Sequence, residues 1–298
     1  MDTLSSILGT FRLDVDIINN AQYCGDWAID TSGSRYVSFH IVTHGQCYVS
    51  SDCMQEPQAL GTGDLVLFPH DNSHTMTSQR KCSVQINAQS PKAFNEGLQS
   101  DGVGLLCGYF RFTHPASNPL LDVLPNVLIK RQADLSASCP IANLLLLIQS
   151  ESLNQQPGYQ AALNRLTESL FVLLVREYFD GADKQQGLAA ALSDGRIKNV
   201  LDALHDRPEQ SWTLDEMASV AAMSRSAFSA LFKNLLNESA MEYLTRWRMQ
   251  NAWLWLQEEG ETVFAVAQRC GYDTEAAFAK AFKRVIGMGP GAARKAKP

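Results

Sequence analysis

The last third of the chain is written twice, and that duplication restricts the fold more than any other feature. Ser224-Arg-Ser-Ala-Phe-Ser-Ala-Leu-Phe-Lys233 lies over Thr274-Glu-Ala-Ala-Phe-Ala-Lys-Ala-Phe-Lys283 at an offset of fifty, matching Ala227 to Ala277, Phe228 to Phe278, Phe232 to Phe282 and Lys233 to Lys283. Upstream the offset is forty-nine: Leu214, Met217 and Ala218 fall on Val263, Val266 and Ala267, and Ala222 falls on Gly271. One connecting turn is therefore a residue longer than the other. Each copy reads as a short helix, a tight turn and a second helix, a helix-turn-helix. Thr213-Leu-Asp-Glu216 has capping-box spacing, and Thr262 and Thr274 stand where a hydroxyl accepts from free N–H groups at a helix start.

In the first copy Ala227, Phe228, Leu231, Phe232 and Leu235 recur at three- and four-residue steps, which predicts one buried helix face. The other face carries Ser224, Arg225, Ser226, Ser229 and Lys233. Its counterpart carries Thr274, Glu275, Ala276, Ala279 and Lys283, flanked by Lys280 and Arg284. A helix entering the major groove reads base edges near its N-terminus and holds phosphates with Lys or Arg further along. On this reading Arg225 is either a base reader or a phosphate contact, Glu275 either reads cytosine or orients a neighbour, and Lys280, Lys283 and Arg284 are phosphate ligands. Ala240 to about Glu259 lacks Pro and Gly and reads as one long connecting helix of roughly 30 Å, close to one turn of B-DNA. Both second helices could then enter successive major grooves of double-stranded DNA.

These residues also carry a family resemblance. Met-Ser-Arg-Ser-Ala-Phe (223 to 228), Trp-Arg-Met (247 to 249), Cys-Gly-Tyr (270 to 272), Glu-Ala-Ala-Phe (275 to 278) and Ala-Phe-Lys-Arg (281 to 284) resemble the DNA-binding domain of the AraC/XylS transcription regulators. The resemblance covers about a third of the chain. It implies a DNA-binding transcription regulator that acts with RNA polymerase. Two departures stand out: Asn237-Glu-Ser-Ala240 replaces the expected Gly-x-x-Pro, and Ala292 replaces an aromatic after the final Pro-Gly.

Charge is distributed to match. The net charge of −6 would argue against a polyanionic partner, but residues 1–181 hold 10 basic and 17 acidic side chains (−7), whereas 182–298 hold 15 and 14 (+1). From Arg269 onward the count is 7 against 2. The excess is modest, so dimerisation is expected to supply much of the affinity. Met1 to Leu13 has no basic segment followed by an apolar core, and Ile141 to Ile148 is far too short to span a bilayer, so a cytoplasmic protein without membrane association is expected. Seven cysteines, an odd number with no repeating framework, fit reduced thiols.

The first half reads as an antiparallel β barrel or sandwich. Short β-like runs at Tyr36–Val42, Cys47–Ser50, Asp64–Phe68, Cys82–Ile86 and Leu105–Phe112 are separated by Gly45, Gly61, Gly63 and Asp71-Asn72. Gly63-Asp-Leu-Val-Leu-Phe-Pro69 followed by His74 resembles the second cupin motif, and Ser38-x-His40-x-x-x-His44-Gly45 occupies the place of the first. Ser38 stands for that motif's first His and His44 for its Glu, which weakens the case for a cupin-type catalytic metal. His40 and His44 alternate onto one strand face and, with His74, could form a three-imidazole face for zinc or another transition-metal ion; the alternative is hydrogen-bonded barrel histidines. Cys24, before Gly25-Asp26-Trp27, and Cys107, in Leu-Cys-Gly108, are placed as in the AraC-type branch whose cupin domain resembles the oxidant-sensing RclR. That resemblance implies a redox pair, or soft metal ligands joining His40 and His74. Inert packing is the competing reading for both, and the stronger one for Cys47, Cys53, Cys82, Cys139 and Cys270.

Pro140–Gln155 and Tyr159–Phe179 read as two amphipathic helices with more apolar surface than a barrel readily covers, which favours a homodimer contact. Asp180–Gln186 reads as a linker and Leu192–Leu204 as the helix leading into the C-terminal half. The expectation is thus a two-domain chain: a cupin-like barrel (1–138), a helical dimerisation segment (139–180), a linker (181–192) and an all-α DNA-binding domain with two helix-turn-helix motifs (193–298). It is expected to be a regulator that senses a small effector, metal or oxidant and not an enzyme, the alternative being a cupin-type metalloenzyme carrying a DNA-tethering domain.

Overall fold

The computed structural model describes residues 2–81, 84–87, 91–94, 102–112, 118, 120–181, 187–257 and 261–295. Helix α1 (Thr3–Phe11) precedes the strands β1 (Leu13–Tyr23), β2 (Ala28–Ile29), β3 (Val37–His44), β4 (Gln46–Ser51), β5 (Gln58–Gly61), β6 (Leu65–Phe68), β7 (His74–Thr77), β8 (Val103–Phe112) and β9 (Leu128–Lys130). Helices α2 (Pro140–Asn154), α3 (Tyr159–Gly181), α4 (Gly187–Ser193), α5 (Gly195–Asp206) and α6 (Leu214–Val220) follow. The chain continues with α7 (Arg225–Leu236), α8 (Ala240–Gln257), α9 (Val263–Arg269), α10 (Glu275–Ile286) and α11 (Pro290–Ala293). Two compact units emerge: Leu13–Arg111 with Leu124–Tyr178, and a second unit of α1, Leu120–Val123 and the helices from Phe179 onward.

The β unit is a pair of sheets ordered β1-β8-β3-β6-β9 and β2-β7-β4-β5, with antiparallel pairings throughout the described registers. Val42, Val66, Phe68, Leu105 and Cys107 of the first sheet pack against Ile29, Cys47, Val49, Leu60 and Met76 of the second, with Trp27 closing one side. The first sheet is buried on its other face too, since Phe39 meets Phe110 and Phe110 meets Phe171 of α3, each with ring centroids 4.8 Å apart. That double burial explains why Val37–Thr43 is buried without interruption, the polar Ser38 and His40 included. It also assigns the stripes of α2 and α3: Ile141, Leu145, Ile148, Leu163, Leu170, Phe171, Leu174 and Val175 are core, leaving Leu146 and Leu147 about half exposed. Of the strand expected at Cys82–Ile86, residues 82–83 lie outside the described residues and 84–87 are a bend and a turn, not a strand.

In the helical unit, α1 packs on α5 and α8 and does not join the barrel, as a 1–138 domain would have required. Asp2 caps it, Thr3 N–H donates to Asp202 Oδ1 at 2.9 Å, and Ile7 and Phe11 are buried. The helix expected over Leu192–Leu204 is interrupted at Asp194, whose carboxylate accepts from Arg196 and Ile197 N–H and starts α5 afresh. Aspartate competes with the helix in this way by offering the backbone an alternative acceptor. Of the expected linker, Asp180 and Gly181 end α3, 182–186 lie outside the described residues, and 187–192 are not linker but part of α4, whose Leu188 to Ala191 are buried.

Candidate nucleic-acid interface and sensor cluster

The two copies fold alike down to their turns. The first helices span seven residues each at an offset of forty-nine and the second helices twelve each at fifty. In the first copy Met223 N–H donates to Ala218 O and Ala222 N–H to Ser219 O; in the second Tyr272 N–H donates to Ala267 O and Gly271 N–H to Gln268 O. These bonds close the helix in a left-handed cap, with Ala222 at φ 52° and Gly271 at φ 73°. The extra residue of the second turn is Asp273. Thr213 and Glu216 form the expected capping box, and Ser224, Thr262 and Thr274 each accept from the N–H three residues on. Asn237 ends α7 at φ 57°, as Gly287 ends α10 at φ 87°. The missing glycine is thus replaced without loss of the cap, because Asn tolerates that region.

Exposure repeats as well. Ser224, Arg225, Ser226, Lys233, Thr274, Glu275, Ala276, Lys280, Lys283 and Arg284 are exposed, while Ser229 and Ala279 are half-buried. Phe228, Phe232, Phe278 and Phe282 are fully buried. Ala227, expected within the buried face, is exposed like Ala277: it lies in the first turn, where the helix still projects beyond the core, and Leu231 is half-buried. Both reading helices pack on α8, whose 18 residues span about 27 Å.

Electrostatics distinguish the exposed cations. Arg225 Nη1 donates to Asp215 Oδ2 on α6 at 3.4 Å. Among the described residues Lys233, Lys280, Lys283 and Arg284 form no ion pair. Glu242, in the first turn of α8, accepts from Ser239 N–H and Oγ–H, which hold its carboxyl below the usual range, and Lys233 and Arg284 both add to that effect. The basic last turns of the two reading helices therefore lie within electrostatic reach of one point on the connecting helix. Asp215, Glu242 and the clamp residue Arg248 carry roles that the spacing did not reveal. Arg248 is buried and donates from Nε to Pro208 O (2.6 Å) and from Nη2 to Gln210 O (2.7 Å), tying α8 to the approach of α6.

In the β unit the structure brings together two of the five suspected metal or redox residues. His40 Nε2 and His74 Nε2 lie 3.0 Å apart, and Thr31 Oγ1 sits 3.3 Å and 3.1 Å from them. His74 Nδ1 is 2.8 Å from the Asn72 carbonyl, so it carries the proton. His74 Nε2 is then an acceptor, His40 Nε2–H donates to it, and His40 Nδ1 is left as a buried lone pair without a partner among the described residues. Burial pushes both imidazoles below their ordinary values, His40 well below. The three-imidazole face does not form. A β-bulge between Val42 and His44 breaks the alternation that would put His44 on the face of His40. Among the described residues no group of three or more His, Cys, Asp or Glu could hold a metal, and two imidazoles with a hydroxyl fall short of a zinc site. Cys107 lies opposite His40 in the β3–β8 register but is fully buried, with its thiol pushed up to about 12 by desolvation. Cys24 is half-buried, and both thiols are free. Cys47 and Cys270 are likewise buried, Cys53 is exposed and Cys139 half-buried.

No described helix is long and apolar enough to cross a membrane. A cupin family model matches residues 2–180 and a helix-turn-helix domain model matches 217–296. A putative AraC-like transcription regulator of Streptomyces lividans is 31% identical over 300 residues, covering 99% of this chain and 98% of the relative. The HTH-type transcriptional regulator MtrA of Neisseria gonorrhoeae is 30% identical over 303 residues, with 99% and 98% covered. The RCS-specific HTH-type transcriptional activator RclR of Escherichia coli (strain K12) is 25% identical over 298 residues, again with 99% and 98% covered. The chain belongs to the AraC-type family of DNA-binding transcription regulators, with an N-terminal cupin domain and a C-terminal pair of helix-turn-helix motifs.

Proposed function

We propose that this regulator recognises its operator with α7 and α10 in two successive major grooves, and that its cupin domain senses a small effector whose binding alters how those helices meet DNA. The observation that carries the reading is the repeated exposure pattern: in both copies the apolar face is sealed and the N-terminal turn and basic edge are presented to solvent. Ser224, Arg225, Ser226, Ser229, Thr274, Glu275, Ala276 and Ala279 then face base edges, and Lys233, Lys280, Lys283 and Arg284 face phosphates. A homodimer through the exposed Leu146 and Leu147 of α2, and a contact with RNA polymerase, complete the proposal.

For the sensor, the unpartnered Nδ1 of His40 beside His74 can accept from a ligand that donates a hydrogen bond, and the lack of three convergent metal ligands among the described residues disfavours a metal ion. A thiol pushed up to about 12 is a poor nucleophile toward oxidants, which react with the thiolate. Any such signal shifts DNA binding only by as much as it prefers one arrangement of the protein over another. Footprinting of the full chain with hypochlorite, with zinc and with neither, repeated on Cys24→Ser, Cys107→Ser and His40→Phe, tests the assignment. A footprint unchanged by hypochlorite and by zinc in all four proteins fits it; a zinc response lost in His40→Phe reassigns the sensor to a metal ion, and an oxidant response lost in Cys24→Ser and Cys107→Ser reassigns it to the thiols.

A further inference from the structure

The two reading helices differ at their first residue. Behind equivalent hydroxyl caps, α7 begins with Arg225 and α10 with Glu275. Arg225 is held by Asp215, in the first turn of α6, through one contact of 3.4 Å between two exposed side chains. The capping box of Thr213 and Glu216 fixes the turn from which Asp215 projects. At the forty-nine offset the second copy has Phe264 in place of Asp215, exposed on α9. Glu275 has a local reason to be where it is, since an acid in the first turn of a helix is favoured by the dipole. Arg225, a cation at the same position of the other helix, runs against that preference.

Asp215 is itself favoured as an acid in the first turn of α6, but the exposed ion pair that it makes with Arg225 adds little to stability. Its effect is on orientation. A long side chain at the tip of the reading helix is biased toward the rotamers that keep one Nη near Asp215, while the rest of the planar fork stays available. That fork matches guanine O6 and N7, the commonest specific contact in the major groove. Once the groove excludes water, the carboxylate holds the guanidinium more strongly than it does in solvent.

We propose that Asp215 is a positioning residue that presents Arg225 for a bidentate contact with guanine, making the first helix-turn-helix the guanine-specific head of the pair. This rests on the DNA-reading surface assigned above. The test measures binding of the full-length protein to a duplex recovered by selection, and to versions with each base under α7 replaced in turn. Wild type should prefer guanine at one position by roughly 5- to 150-fold, the range for one good bidentate pair. Asp215→Ala should cut that preference severalfold, leaving preferences under α10 and the salt dependence unchanged. Arg225→Lys should weaken it at least as far as Asp215→Ala does while keeping the salt dependence, because the charge survives and the planar fork does not. The double variant should lose no more than Arg225→Lys alone, the signature of two side chains acting as one unit. The preference is a ratio within one preparation, so a reduced folded fraction does not alter it.

Uniformly tighter binding of Asp215→Ala to every duplex, with the guanine preference intact, would overturn the proposal by making Asp215 a merely repulsive acid. A preference preserved in Arg225→Lys would overturn it by making Arg225 a phosphate contact. Wild-type protein that binds no duplex would remove the DNA-reading surface itself, a result distinct from binding without guanine preference.

Discussion

Replacing Gly271 with alanine probes the turn that sets the second reading helix. At φ +73° an L-residue costs roughly 1–2 kcal/mol. A Cβ there would lie 2.5 Å from Glu209 O and 2.9 Å from Arg248 Nη2. Neither neighbour yields easily, because Arg248 fixes that backbone by its bonds to Pro208 O and Gln210 O. Losing one such charge-assisted bond costs roughly 1.5–3 kcal/mol, so Gly271→Ala should destabilise the helical unit by about 2.5–5 kcal/mol. The equivalent residue of the first copy is already Ala222, exposed at φ 52°. Ala222→Gly relieves the left-handed strain at the cost of extra chain entropy, a net gain of about 0.5–1 kcal/mol. Denaturant unfolding followed by tryptophan fluorescence reads both changes, since Trp212, Trp247, Trp253 and Trp255 belong to the helical unit and Trp27 alone to the β unit. A Gly271→Ala midpoint equal to wild type, or losses of the same size in both variants, would refute the reasoning.

Lys283→Ala should weaken binding to all duplexes alike and lower the slope of log affinity against log salt by about one phosphate contact, measured by titration at several salt concentrations. His205, stacked on Trp247 and bonded through Nε2 to Tyr243 Oη at 2.8 Å, is pushed down by burial from 6.5 to about 3. Its folded value is depressed, so the unfolded chain binds the extra proton between those limits: the stabilisation is full above pH 6.5 and declines as pH falls, by roughly 1.4 kcal/mol per pH unit. Unfolding of wild type and His205→Phe at pH 6.5 and 5 should therefore differ in pH sensitivity by about 2 kcal/mol. Among the described cysteines, thiol labelling of the folded protein should spare Cys47, Cys107 and Cys270, which are buried, and reach the exposed Cys53 first.

The helical half was legible because its signals are local. Capping hydroxyls, three- and four-residue apolar steps and the repeat offset all act within one or two turns, and the repeat supplied its own internal check. The β half was legible as strands but not as partners. Whether His44 joins His40 depended on one bulge, and whether Tyr36–Val42 faced solvent depended on α3 covering the sheet from more than a hundred residues away. Helix α1 illustrates the same limit: Leu4, Ile7, Leu8 and Phe11 have helical spacing behind Asp2, but only the fold shows that they pack against α5 and α8. Asp215 and Arg248 were hidden for a related reason, since a single charged residue carries no period.

The central claim is that α7 and α10 read two grooves on one face of the duplex. Selection of bound sites from random double-stranded DNA with the full-length protein, repeated with Arg225→Ala and Glu275→Ala, tests it most directly. The structure predicts a bipartite site whose two conserved blocks are centred about 10 base pairs apart, one helical turn, with Arg225→Ala relaxing one block and Glu275→Ala the other. A single contiguous block altered by both substitutions, or blocks separated by half a turn, would contradict it.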